Sequence, residues 1–219
     1  MLLNSYYFIF FFLILFFIYW KMAKNATLQN VVLLLGSCIF YFSWSPQFLA
    51  LLLVTIVATF YISKKIIGAE DSSRKWWSRF GIWVALLQLL YFKYFNFFIE
   101  NVHDFLQQIG FNSPKNILSI ILPLGISFYS FRMIGYLLDV RNKKIKEIPT
   151  LLEYSVFVAY FPTMISGPID RAVSFVKQIN VKRDFSSESF SDGLRQLLWG
   201  LFKKLVVADT IATITSPIF

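Results

Sequence analysis

The sequence predicts an all-α fold, a polytopic transmembrane helical bundle that includes short and broken helices. Three observations point there. Apolar residues make up 57% of the 219, aromatics 20% (26 of them Phe) and charged residues only 15%. Soluble domains run at roughly 45–50% apolar, glycine included, and about 25% charged. Mean hydropathy is +0.61. The apolar residues gather in runs near the length of a membrane span. The 21 basic residues, set against 12 acidic ones for a net charge of +9, sit mostly between those runs, as expected for cytoplasmic loops.

The same numbers exclude other classes. Disorder needs low hydrophobicity and high charge. A disulfide scaffold needs more than the single Cys38. The basic excess forms no basic helix and accompanies no aromatic RNA-binding motif, so nucleic acid is not an expected partner. Residues 1–219 show no repeat, soluble domain or linker and read as one membrane domain embedded in the lipid bilayer.

Seven membrane segments follow in order. Residues 5–20 are apolar, with the first basic residue, Lys21, behind them. A cleaved signal carries its positive charge in front, so this helix is expected to stay, with Lys21 and Lys24 drawing its C-terminal end to the cytoplasm and its N-terminus outside. The apolar stretch that follows is too long for one span of roughly 20 residues and short for two. Ser45-Pro46 divides it, because proline lacks an N–H and disfavours helix in the residue before it. This predicts helices 31–44 and 47–63, with Trp44 at the interface. Residues 64–79, rich in Lys and Arg, are expected to be a cytoplasmic loop. Span 80–99 comes next, then a polar loop, 101–116, that holds His103 in solvent on the outer side. Span 117–140 is broken at Pro123 and Gly125, and Arg141, Lys143, Lys144 and Lys146 follow it. Segment 151–168 closes on Ser166-Gly167-Pro168, a turn sequence. A polar stretch, 170–192, leads into the last segment, 190–214, opened by serines and interrupted by Lys203-Lys204.

Chemistry-bearing groups are few. One His and one Cys build neither a zinc site nor a Cys–His pair, and no phosphate-binding glycine motif is present. The informative residues are charges inside or beside apolar segments, which are costly at membrane depth and face protein or water. Lys93 lies near the end of its span. Arg132 and Asp139 are seven residues apart, two helical turns, and so share a face. Asp170 and Arg171 follow the Gly167-Pro168 break. Broken backbone at membrane depth is tolerated where protein buries it or water reaches it. Breaks and charges together suggest an internal cavity. Lys93, Arg132, Asp139, Asp170 and Arg171 are the candidate tunnel or network residues, with no catalytic, cofactor-binding or metal-ligating residue among them.

The stretch Leu122-Pro123-Leu124-Gly125-Ile126-Ser127-Phe128-Tyr129-Ser130-Phe131, with Tyr136-Leu137-Leu138-Asp139-Val140 beyond it, is similar to a signature of the membrane-bound O-acyltransferases. The alginate O-acetyltransferase branch resembles it closely, the D-alanine teichoic-acid transferases more distantly. Four other stretches agree in order: 30–37 with Phe40-Tyr41-Phe42-Ser43-Trp44-Ser45-Pro46; Phe92-Lys93-Tyr94; Phe161-Pro162 to Gly167-Pro168-Ile169 and Arg171; and Gly200-Leu201-Phe202-Lys203-Lys204 with Ala208-Asp209. Arg132 and Thr163 each stand where the branch pattern has glutamine. The family's essential histidine, placed in a later membrane segment, has no match here, and His103 is not its counterpart.

The resemblance implies O-acetyl transfer to hydroxyls of an exported cell-surface polysaccharide, with a histidine as general base. It implies a bacterial cytoplasmic (inner) membrane location, an acyl donor such as acetyl-CoA or an acyl-carrier thioester with no bound cofactor, and a periplasmic acyltransferase partner. The chain reads as the N-terminal part of such an enzyme, holding tunnel and scaffold helices and inactive alone. A non-catalytic membrane scaffold, or a transporter-like subunit of a polysaccharide export complex, shares the broken helices and the charged seam; an inverted repeat would favour the transporter.

Overall fold

The computed structural model describes residues 5–22, 24–109, 120–145, 147–165, 167–168 and 170–215. Among these there are helices and turns and no strand. In order they are α1 (Tyr6–Met22), α2 (Ala26–Phe42), α3 (Pro46–Ile67), α4 (Asp71–Gln108), α5 (Ile126–Arg141), α6 (Leu151–Ala159), a 3₁₀ turn (Phe161–Thr163), α7 (Ala172–Ile179), α8 (Ser187–Phe202), a π-helical segment (Lys203–Ala208) and α9 (Asp209–Thr215). They fall into two compact units, Met1–Lys182 and Arg183–Phe219. Two helices, α3 and α4, are long and apolar enough to cross a bilayer by length and composition.

Local sequence accounts for most boundaries. Asn25 caps α2 by accepting the Leu28 N–H at 2.8 Å, which satisfies one of the donors orphaned at a helix start. The break at Ser45-Pro46 is as expected, and Pro46 opens α3 as its first residue, where its missing N–H costs nothing. Thr150 and Glu153 form a reciprocal capping box at α6. At the end of α5, Lys143 takes φ 59°. The Lys143 N–H then reaches Val140 O at 3.1 Å and the Lys144 N–H reaches Asp139 O at 2.9 Å, the pairing of a Schellman cap.

Several expectations are corrected. Residues 64–79 are not one loop: α3 runs to Ile67 and α4 starts at Asp71, leaving a three-residue joint. Arg74 ties that joint by donating to Ile66 O and Ala69 O, both at 3.2 Å, and to Asp71 at 3.1 Å. At the other end α4 continues through 101–108, so His103 is a helical, buried residue bonded to Gln107 Nε2 at 3.2 Å and not a solvated loop histidine. No proline occurs between Pro46 and Pro114, and no glycine between Gly81 and Gly110, so nothing in that polar stretch stops a helix. With 38 residues, α4 is about 57 Å long at about 1.5 Å per residue, well beyond the hydrocarbon core. Residues 110–119, which hold the remainder of that expected loop and the start of span 117–140, lie outside the described residues. Among the described residues of that span, helix begins at Ile126. Among the described residues of segment 151–168, α-helix ends at Ala159 and a 3₁₀ turn follows, and the nine α-helical residues reach about 14 Å, under half the hydrocarbon thickness. Within the polar stretch 170–192, Ala172, Phe175, Val176 and Ile179 recur at helical spacing and build α7. Segment 190–214 divides into α8, the π segment and α9.

In the first unit, α5 lies at the centre and packs against α3, α4, α6 and α7. Its core partners include Leu52, Ile56, Phe60 and Ile66 of α3, Leu89 of α4 and Phe157 of α6. Phe8 and Phe11 of α1 meet Phe40 of α2 and Phe161 with ring centroids 5.6–6.4 Å apart. Gly81 lets α4 approach closely, since a Cβ there would lie 2.8 Å from a Leu137 methyl and 2.9 Å from one of Ile62. In the second unit, Ser186 caps α8, no residue of α8 is buried, and its Leu194, Leu197, Leu198 and Trp199 are exposed.

Gly125, at φ 67°, turns the chain from Pro123 into α5, and a Cβ added there would lie 2.4 Å from Met164 O. Gly135, on the same helix, has nothing within 4 Å of that position. We expect Gly125→Ala to cost about 3 kcal/mol from backbone strain and overpacking, and Gly135→Ala to be neutral or stabilising by up to about 1 kcal/mol. Thermal unfolding of both variants in one detergent checks this, and equal midpoints would refute it.

Candidate functional site

The site is built on one stripe of α5. Tyr129, Arg132, Tyr136 and Asp139 follow spacings of three, four and three and therefore share a face, and all four are buried. A matching stripe on α3 places Thr55, Thr59 and Ser63 four residues apart. Hydroxyls pair across the helices: Thr59 with Tyr154 of α6 at 2.8 Å, and Ser63 with Tyr136 at 3.1 Å. Gln88 of α4 donates to the Tyr129 hydroxyl at 2.7 Å and accepts from Thr55 at 2.9 Å. Tyr41 of α2 donates to Leu124 O at 2.9 Å and so holds the turn that starts α5. Within lipid, burial of apolar groups gives little preference for one helix neighbour over another, and such interhelical bonds help to select it.

Arg132 performs a specific repair. An α-helix leaves its last four carbonyls without amide donors. Beyond α6, the amide that would reach Val158 O belongs to Pro162, which has no N–H. The amide that would reach Phe157 O is that of Phe161, and it donates to Ser37 Oγ of α2 at 3.3 Å. Arg132 Nη1 takes over both carbonyls, at 3.3 Å to Phe157 O and 3.4 Å to Val158 O. Its Nη2 donates to Thr163 O at 3.4 Å and to Thr163 Oγ1. A cation at a helix C-terminus also faces the negative end of the helix dipole. Asp170 adds an opposite charge that acts on the guanidinium. Arg132 and Thr163 thus bond each other.

Asp139 serves a different cluster. Its carboxylate, 4% exposed, accepts from Arg171 Nη1 at 3.3 Å and faces Lys144 Nζ at 3.9 Å. Arg132 and Asp139 share a helix face yet have separate partners, two turns apart. Lys93 joins neither group: it is exposed, with Nζ 5.5 Å from the Tyr94 ring, as a lysine reaching toward an interface does.

Two cavities adjoin the Asp139 cluster. One, of about 300 Å³, lies beside Phe131, Ile134, Gly135 and Leu138 of α5 and is closed by Asp170, Arg171 and Ala172. The other, of about 500 Å³, lies between the α5–α6 connection and α7. Ala172 borders both. No group of three or more His, Cys, Asp or Glu placed to hold a metal occurs among the described residues. Sequence reading that searches for charge misses Thr55, Thr59, Ser63, Gln88 and the buried tyrosines. The four-residue spacing of small hydroxyls on α3 was the available signal.

Among the described residues the fold is all-α, with two helices long and apolar enough to cross a membrane, and long and short helices pack around a hydrogen-bonded polar interior. Neither a protein-family model nor a solved structure matches the chain. Curated relatives do. The chain is 34% identical over 193 residues to a probable alginate O-acetylase of Pseudomonas syringae pv. tomato, covering 87% of this chain and 37% of that protein. It is 34% identical over 196 residues to a protein of the same name from Azotobacter vinelandii, covering 89% and 39%. It is 30% identical over 217 residues to a peptidoglycan O-acetyltransferase of Helicobacter pylori, covering 87% and 40%. The chain belongs to the membrane-bound O-acyltransferase family. It spans about two fifths of the length of these relatives.

The Arg132–Thr163 contact predicts a compensating pair. Arg132→Gln and Thr163→Gln are each expected to lower thermal stability, and the double variant to recover about 1 kcal/mol relative to their sum. Arg132→Met, which leaves the α6 carbonyls without donors, is expected to cost about 3 kcal/mol and to speed hydrogen exchange in residues 156–164. Strict additivity in the cycle would show that the contact carries no energy.

Proposed function

We propose that this chain is part of a multi-pass O-acyltransferase of the bacterial cytoplasmic membrane. In this reading its N-terminus lies outside, and the enzyme transfers an acyl group, acetyl first among them, to hydroxyls of an exported cell-surface polysaccharide. The observation that carries the proposal is the 34% identity to an alginate O-acetylase along 87% of the chain. A second relative, named for peptidoglycan, pairs the same group transfer with another polymer.

The donor in this reading is a thioester, either acetyl-CoA or an acyl-carrier thioester. Transfer breaks its C–S bond, forms the C–O bond of the ester, and carries the acceptor's hydroxyl proton by way of a base to the leaving thiolate. Histidine suits that base, since its pKa lies near neutrality. We assign the role to a histidine outside this chain, because His103 bonds its own helix at Gln107. Here Arg132, Asp139, Asp170 and Arg171 hold the wall of the polar interior, and Lys93 anchors its helix at the interface. An extracytoplasmic acyltransferase is the protein partner expected in this reading, beside the polysaccharide acceptor. The basic stretch Arg141 to Lys144, directly after α5, supports a cytoplasmic position for that end.

Deletion of the gene in its source bacterium tests the proposal. O-acetyl content of the surface polysaccharide, measured by alkaline release or proton NMR, is expected to fall, and to return with the intact gene but only weakly with its Arg132→Met variant. Unchanged acetylation in the deletion strain would overturn it.

A further inference from the structure

The larger cavity has a composition that neither the wall role nor the acyl-transfer reading uses. Its 500 Å³ falls within the range of small-molecule sites, about 300–1,000 Å³. Its lining combines the apolar Ile145, Pro149, Val173 and Val176 with Lys144 and Lys177, and Glu147 is its acidic member. Arg171, bonded to Asp139, stands directly before Ala172 in the lining. Ser174 and Phe175 return their N–H groups to Arg171 O at 3.1 Å each, whereas Ala172 and Val173, which line the cavity, occupy the first positions of α7, where no helical carbonyl lies ahead. Arg171, the residue before them, gives α7 no side-chain cap.

We propose that this cavity binds a phosphate ester, with the phosphate between Lys144 and Lys177 and its organic arm against Ile145, Val173 and Val176. Two ammonium groups make charge-assisted bonds to phosphate oxygens, and Lys144 lies 3.9 Å from Asp139, which it shares with Arg171 at 3.3 Å. Glu147 repels an anion at one edge, so the excess of positive charge is modest and the apolar wall carries the rest of the recognition. Two sources present this chemistry: the headgroup of an anionic phospholipid, and a soluble phosphate ester such as the phosphopantetheine arm of an acyl donor. The second rests on the acyl-transfer reading, and the first does not.

The test uses the 219-residue chain in phosphatidylcholine nanodiscs, with Lys144→Gln/Lys177→Gln as the site variant and Lys64→Gln/Lys65→Gln as an equal loss of charge elsewhere. One arm adds a minor fraction of phosphatidylglycerol and counts retained lipid by native mass spectrometry. The other titrates 4′-phosphopantetheine by calorimetry. Binding that weakens about tenfold or more in the site variant, and not in the control, supports the proposal and names the source by the arm in which it appears. Lys144 also faces the buried Asp139 carboxylate at 3.9 Å, so the single Lys177→Gln variant, whose lysine is exposed, is measured beside the double one, and its weakened binding at an unchanged thermal midpoint separates lost binding from lost fold. Absence of saturable binding in both arms, or an equal loss in both variants, overturns it. A positive lipid arm with a silent phosphopantetheine arm retains the site while leaving the acyl-transfer reading to the acetylation measurement.

Discussion

The end of α6 is the constraint on which the first unit depends. A proline at position 162 removes one amide donor, and the bond from Phe161 to Ser37 removes another. Two carbonyls are left inside the protein, where an unmet acceptor costs about 1–3 kcal/mol each. Arg132 meets both from α5. Once that bond set is made, the position of α5 relative to α6 is defined, and with it the passage of Met164 across Gly125 and of Phe161 into the ring cluster of Phe8, Phe11 and Phe40. Five segments of sequence are tied together by one missing amide hydrogen and one that is redirected.

This arrangement also explains why a buried cation is tolerable. Desolvation of a guanidinium is expensive, but here the group is surrounded by carbonyls that would otherwise be unsatisfied, by a helix C-terminus and by the field of Asp170. The penalty and the need offset each other. The acid on the same face, Asp139, takes its counter-charges from the other side: Arg171, at the entrance to α7, and Lys144, just past the end of α5. One helix stripe therefore supports an internal cap at one height and a charged rim at the other. Between them, Tyr136 and its partner Ser63 keep the interior polar without a net charge.

The short helices are as informative as the long ones. Nine residues of α6 and eight of α7 are too short to cross lipid alone, so their ends must be satisfied by neighbouring protein. Side chains meet three of those four ends: a capping box at the start of α6, Arg132 at its end, and the Asn30 amide donating to Ile179 O at 3.0 Å at the end of α7.

By itself the sequence determined the composition class, the helical content and the break at Ser45-Pro46, because these follow from local chemistry: apolar content, the missing proline N–H and the placement of basic residues. It also marked Arg132 and Asp139 as sharing a face, since helical periodicity is a local rule. Polarity misled it at 64–79 and 101–108, where helix continues because nothing in the chain stops it. It missed α7 because an eight-residue amphipathic turn is short beside the polar residues around it. What only tertiary structure decided is which partner each polar group takes. Arg132 goes to carbonyls 25 and 26 residues away, and Asp139 to an arginine 32 residues on. Such pairings depend on where distant helix ends finish in space, which no local spacing encodes.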